Sequence, residues 1–287
     1  MSTDEVWSDP KYGRWARSRA ALSRSWELVR STPGLLRLGA VTLVAWLAVF
    51  ATTWGIPFWL LGGPDKRLAV AVASVTAAWP LRFMGAFLGV AVVGTARRRL
   101  AGEPARARDG LRDAMARLRP ILAWSLLSAG VGAVLDWIAR RVPGGGALAA
   151  GLVGVAWSLL TLFVVPALVL EPVGVRDAIR RSADAFRRTW GESVTGTLSI
   201  GACLVPIGLP AGFLIGLGFG LDGAAAAALL AAGVLLFGLM ITAATLMGQL
   251  FAFSLYRYAT TDGREAPIFG EDLLRSGFRI RRKRRGR

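Results

Sequence analysis

The chain has 287 residues, 54% of them hydrophobic and 18% charged, with 35 Lys+Arg against 18 Asp+Glu and a net charge of +17. It has no histidine and one cysteine, Cys203, which excludes a His/Cys metal site, a Ser-His-Asp triad, a His general base and an intrachain disulfide, and implies no cofactor. An enzyme would have to work through carboxylates, Lys, Tyr or Ser, and no cluster of these assembles at one depth, so the chain reads as non-catalytic.

The first 30 residues carry Asp4, Glu5, Asp9, Arg14, Arg17, Arg19 and Arg24 without an apolar core, unlike a secretory signal peptide. Trp15, Leu22, Trp26 and Val29 form an apolar stripe there. Six apolar blocks follow, at about 38–61, 68–96, 120–139, 147–170, 194–219 and 224–258. Each is long enough to cross a bilayer, which takes about 20 residues. Short turns at 62–67, 140–146 and 220–223 alternate with polar stretches at 97–119 and 171–193. Helices joined by short turns pack as antiparallel neighbours. The expected architecture is an all-α integral membrane protein with six spans in three hairpins. Residues 1–37 precede the bundle, 38–258 build it, and 259–287 form a basic tail.

The long segments and both ends hold 30 of the basic residues, and the short turns hold 4. That asymmetry places the long segments and both termini in the cytoplasm, with the bundle in the cell membrane. A pI near 11.6 would suggest nucleic acid in a soluble protein; in a membrane protein the basic loops account for it, arguing against such a partner. Trp54, Trp59 and Trp137 suit an outer aromatic belt, and Trp124, Tyr256 and Tyr258 an inner one.

In 175–190 apolar residues recur at helical spacing while Arg176, Arg180, Arg181, Arg187 and Arg188 take other positions. Leu111, Ala114, Met115 and Leu118 repeat the pattern. Basic amphipathic helices of this kind lie flat in the headgroup region with their arginines on anionic lipid, each contributing roughly 1 kcal/mol near the surface. One such helix is expected before each hairpin. Gly110-Leu111-Arg112-Asp113-Ala114 and Gly174-Val175-Arg176-Asp177-Ala178 share G-x-R-D-A, each opening such a helix, which supports three repeated units.

Arg82 is the single charge well inside a block. It reads as a site for an anionic substrate or headgroup, or as a snorkelling side chain. Asp136 is a candidate partner, though about 10 Å shallower at 1.5 Å per residue, and otherwise an exposed outer carboxylate. Gly208, Gly212, Gly216 and Gly220 recur every four residues and offer a smooth face for a neighbouring helix or a second copy. Pro206 and Pro210 would break this fifth helix, as in transporters. Trp190-Gly191-Glu192-Ser193 reads as an elbow between helices, and the tail Arg279 to Arg287 as a lipid-binding polybasic run.

The run Arg108-Asp109-Gly110-Leu111-Arg112, then Arg119-Pro120-Ile121-Leu122-Ala123-Trp124, resembles domain-of-unknown-function family 6159 of bacterial and archaeal integral membrane proteins. The likeness continues through Phe163-Val164-Val165-Pro166-Ala167, Arg188-Thr189-Trp190-Gly191-Glu192-Ser193 and Leu255-Tyr256-Arg257-Tyr258-Ala259-Thr260. It covers about 90–282 well and 20–90 loosely, and implies a multi-pass membrane protein without an assigned activity. Three functions compete: a non-catalytic module binding anionic lipid or a protein partner, with homo-oligomers possible through the glycine face; a transporter using Arg82 and a broken helix five; and a membrane-embedded lipid enzyme.

Overall fold

The computed structural model describes residues 14–56, 60, 66–143, 145–221 and 223–261, with backbone alone at 14–22, 66–71, 74–75, 190–199 and 203. These residues form ten α-helices and, among the described residues, no strand. They are α1 (Arg14–Ser31), α2 (Pro33–Phe50), α3 (Lys66–Leu100), α4 (Ala107–Ala116), α5 (Leu118–Arg141), α6 (Gly146–Leu160), α7 (Val164–Leu170), α8 (Val175–Arg188), α9 (Trp190–Phe219) and α10 (Gly223–Thr260). A π-helical turn, Ala51–Gly55, extends α2. Pro33 sits at the start of α2, where its missing N–H leaves no intrahelical bond unmade. Gly223 enters α10 at φ 77, a conformation that favours glycine.

Five stretches are long and apolar enough to cross a membrane: Pro33–Gly55, Thr76–Leu100, Leu118–Arg141, Gly146–Leu170 and Gly223–Thr260. The fifth expected block lies in α9, where the described apolar helix is the shorter Leu204–Phe219. Outward faces are apolar: Leu148 is 72% exposed, Leu209 70% and Phe213 67%. Surfaces like these belong against acyl chains, since water would penalise each by about 1.5–3 kcal/mol.

The well-buried core is concentrated at one end of the bundle. It comprises Leu88 and Val90–Val93 of α3, Phe163–Val169 around α7, and Leu250, Phe253 and Tyr256 of α10. Helices α3, α7 and α10 touch one another there. α2 lies against α3 and α10, and α5 against α3 and α6. α9 packs chiefly on α10.

Small residues decide the close contacts, not always those the spacing suggested. A methyl on Gly208 would meet Met240 Sδ at 2.7 Å, but Gly212 and Gly216 face open space and Gly220 only its own helix. Gly218 and Gly233 make the α9–α10 approach instead, against Leu230 and Ile215. The expected four-glycine face is therefore not one packing surface within the chain. Gly85 and Gly89 of α3 lie under Trp46 and Gln249.

Helix five is not broken: α9 runs continuously through Pro206 and Pro210. The break falls in the fourth block, between α6 and α7. Pro166, third residue of α7, has no N–H for the carbonyl of Leu162, and its ring crowds that carbonyl.

The intervening helices dock part of their apolar faces on the bundle, while Met115 of the α4 stripe stays 58% exposed. α4 buries Gly110 and Ala114 against α3, where a methyl at position 110 would run into Thr95 and Ala91. α8 buries Ala178, Ser182, Ala185 and Phe186 against its neighbours. The two G-x-R-D-A motifs also differ in register. Gly174 caps α8, whereas Gly110 is the fourth residue of α4. Their shared feature is the alanine, Ala114 or Ala178, fully buried at each docking face.

The inner aromatic belt is corrected too. Trp124, Tyr256 and Tyr258 are buried, with Trp124 stacked on Trp157 and Tyr256 beside Phe163. Trp137 is 58% exposed. The side chains of Trp15, Leu22 and Trp190–Ser193, together with Trp59 and the 279–287 tail, lie outside what is described.

Candidate functional site

Two places gather polar groups. The first lies between α3 and α5. Arg82 reaches from α3 to α5, where Nη1 donates to Ser128 Oγ at 2.9 Å. One turn earlier, Trp79 Nε1 donates to Ser125 Oγ at 3.2 Å. Ser128 is ten residues into α5, about 15 Å from its start in a helix about 36 Å long. The Arg82 guanidinium is thus level with the middle of α5, while Arg82 itself is the seventh residue of the apolar stretch Thr76–Leu100. Gly132 leaves room for the guanidinium, since a methyl there would meet Nη2 at 3.2 Å. Arg82 is exposed and makes no ion pair among the described residues. Asp136 does not join it; that carboxylate pairs with Arg140 one turn along α5.

The second place is the basic end. α4 is clasped to the end of α3 by Arg98, whose Nη2 lies 3.0 Å from Asp113 Oδ1 and whose Nη1 lies 3.4 Å from Glu103. Across from it, Ser182 of α8 sits in the helix break. Its hydroxyl accepts from the Phe163 N–H at 3.0 Å and donates to the Leu160 carbonyl at 2.6 Å. Two of the backbone groups freed by the break are satisfied by that side chain. At the far end of α7, Glu171 pairs with Arg181 and accepts from the Tyr256 hydroxyl. Arg117 donates to the carbonyls of Leu168 and Glu171, capping α7 with positive charge where its dipole is negative. Burial, then repulsion from Arg97, pull the Arg117 guanidinium below its ordinary pKa, while Asp113 pulls the other way.

The five arginines of α8 are all exposed but not equivalent. Arg181 is held by Glu171, Arg187 lies 3.7 Å from Asp184, and Arg188 donates to the Ala259 carbonyl at 3.3 Å. Arg176 and Arg180 make no ion pair among the described residues. An open groove of about 560 Å³ runs along Asp177, Arg180, Arg181, Ala183, Asp184 and Arg187. No group of His, Cys, Asp or Glu that could hold a metal occurs among the described residues. Sequence spacing found the arginines but missed Ser182, Glu171, Tyr256 and Arg117, whose roles depend on a helix break and on packing between distant segments.

A bundle of long apolar helices with apolar outward faces and a charged end has the build of an integral membrane protein. Within that class, the chain belongs to the family of unknown function DUF6159, whose match covers residues 80–266. The match starts two residues before Arg82 and takes in α4, α7, α8 and α10. It ends ahead of the polybasic run at 279–287. No curated protein and no solved structure matches the chain.

Proposed function

We propose that this is a six-span protein of the cell membrane, built of three hairpins with both termini in the cytoplasm. Its role is that of a non-catalytic module holding anionic lipid at a basic collar formed by α1, α4 and α8. The carrying observation is how α4 and α8 are held. Each buries small residues against the densely packed end of the bundle and turns arginines outward. α1 contacts α9 and α10 at its own place in the bundle. Docked helices present cations in fixed positions, so an anionic headgroup meets charge already ordered. Within α8, Arg176 and Arg180 are the arginines best placed for lipid.

Native mass spectrometry of protein extracted in its own lipid tests this. The wild type is expected to retain anionic phospholipid. The double variant Arg176→Gln/Arg180→Gln is expected to hold it about 30-fold more weakly, at roughly 1 kcal/mol per arginine. Equal retention by both would overturn the reading, and a stoichiometric protein in place of lipid would move the role to partner binding.

A second reading, passage of a small anionic solute, rests on Arg82 alone. A cation bonded to a serine hydroxyl at mid-span, without a carboxylate, is an expensive arrangement to keep in a membrane. Uptake of such a solute into proteoliposomes, abolished by Arg82→Leu, would favour it.

A further inference from the structure

The outer face of α8 carries both signs of charge, and a collar for anionic lipid uses only one of them. The buried side of α8 holds Ala178, Ser182, Ala185 and Phe186, and the helix touches α5, α6, α7, α9 and α10. On the opposite side Asp177, Arg180, Arg181, Asp184 and Arg187 recur at three- and four-residue steps, so they share one face. All five are exposed, and all five line the open groove of about 560 Å³. Sites for small ligands commonly hold about 300–1,000 Å³.

Three arginines meet two aspartates there, but Arg181 is already held by Glu171. Two guanidiniums then face two carboxylates. Arg187 stands 3.7 Å from Asp184, a loose pair. Arg180 lies one turn from Asp177 and one turn from Asp184, the spacing at which ion pairs close on a helix. Neither Arg180 nor Asp177 makes an ion pair among the described residues. A free cation and a free carboxylate are thus about 4.5 Å apart along the axis, at 1.5 Å per residue. A lining balanced in this way repels a purely anionic group as strongly as it attracts one. It complements a ligand that carries both charges.

We propose that this groove binds the headgroup of an aminophospholipid, in which a two-carbon link joins a phosphate to a primary ammonium. The phosphate lies on Arg180, whose planar fork suits phosphate oxygens. The ammonium donates to Asp177, and Asp184 on the other side of Arg180 is the alternative acceptor. A choline headgroup has the same charges but no N–H to give a carboxylate. Quaternary ammonium groups are held by aromatic rings, and none lines the groove among the described residues. The assignment rests on the collar in one respect, that the outer face of α8 lies among headgroups.

The test is native mass spectrometry of the full-length protein released from nanodiscs of phosphatidylethanolamine, phosphatidylcholine and phosphatidylglycerol in equal parts, with identical acyl chains. The wild type is expected to retain the ethanolamine lipid about tenfold over the choline lipid, as one hydrogen bond to a charged group provides. Asp177→Asn/Asp184→Asn is expected to bring the two to parity while phosphatidylglycerol is retained at least as well as before. Asp177→Glu keeps the charge and is expected to keep the preference, which separates charge from folding.

Equal retention of the ethanolamine and choline lipids by the wild type would overturn the proposal, as would a preference that survives the double aspartate variant. Retained phosphatidylglycerol would in either case leave the anionic-lipid collar standing. The ethanolamine lipid retained without phosphatidylglycerol would support the groove and remove the collar. Loss of all three lipids from the wild type would end both.

Discussion

Ser182 is a small side chain with a large share of the structure resting on it. It bonds two of the backbone groups released where α6 ends and α7 begins, the Phe163 N–H and the Leu160 carbonyl. Ser182→Ala leaves a buried N–H and a partly buried carbonyl without that partner, a loss expected to cost about 1–3 kcal/mol for the buried N–H and less for the carbonyl. Thermal unfolding in detergent should show a lowered midpoint; an unchanged midpoint would mean that the break finds other partners. Arg82 should respond in the opposite sense. An arginine at mid-helix costs about 2.5–3.5 kcal/mol on insertion scales, and its bond to Ser128 returns about 1.5–3 kcal/mol, as bonds to charged groups do. Arg82→Leu is therefore expected to leave the unfolding midpoint unchanged or higher, and a clear fall would make Arg82 a structural residue. The sequence made Arg82 conspicuous because a single charge stands out in an apolar block. Ser182 was invisible, being one polar residue among many on a charged helix, with its partners some 20 positions upstream.

Among the elements, α4 and α8 show what periodicity can and cannot say. Spacing located both helices and their basic faces. It also suggested that the apolar faces rest on lipid, because alanine and glycine count as apolar. Their real use is to let two helices approach. Large side chains would serve for lipid, whereas Gly110, Ala114, Ala178 and Ala185 serve for contact with backbone. The same reasoning explains the glycines of α9, whose regular spacing promised a packing face that the chain builds elsewhere, at Gly85, Gly89, Gly218 and Gly233. Proline was equally ambiguous: α9 continues through two prolines, while the fourth block breaks beside Pro166 because Ser182 is there to receive the freed groups. Gly110→Val tests the docking of α4. The branched side chain collides with Thr95 and Ala91, so α4 should lift and its Arg98–Asp113 clasp open. Hydrogen exchange across 107–116 should then accelerate while 223–260 stays protected. Unchanged protection of 107–116 would refute tight docking at Gly110.

For the molecule as a whole, orientation in the bilayer is the property that charge predicts and geometry can support. Basic residues divide 30 to 4 between the long segments with the chain ends and the short turns. The contacts of α4 with the Ala91–Arg98 end of α3, and of Arg188 in α8 with Ala259 near the end of α10, bring two of the long segments to the ends of inner helices. Val142 and Pro143 follow α5 at its opposite end from α4. In the proposed topology, cytoplasmic retention of the arginine-rich loops sets the hand of the arrangement. The apolar blocks were legible because a bilayer demands a length that soluble helices seldom need. The mutual contact of α3, α7 and α10 was not, because hydropathy records which residues avoid water and not which helix they meet. Labelling settles the orientation. With Cys203 replaced by serine, single cysteines at Arg112 and Arg180 should react with a membrane-impermeant maleimide in inside-out vesicles and not in intact cells. A cysteine at Pro143 should behave in reverse. Reaction of Arg112→Cys and Arg180→Cys from outside intact cells would turn the bundle over and place the collar on the outer leaflet. Reaction of those two positions from opposite sides would mean that α4 and α8 do not share a membrane face, and the idea of one collar would fall with it.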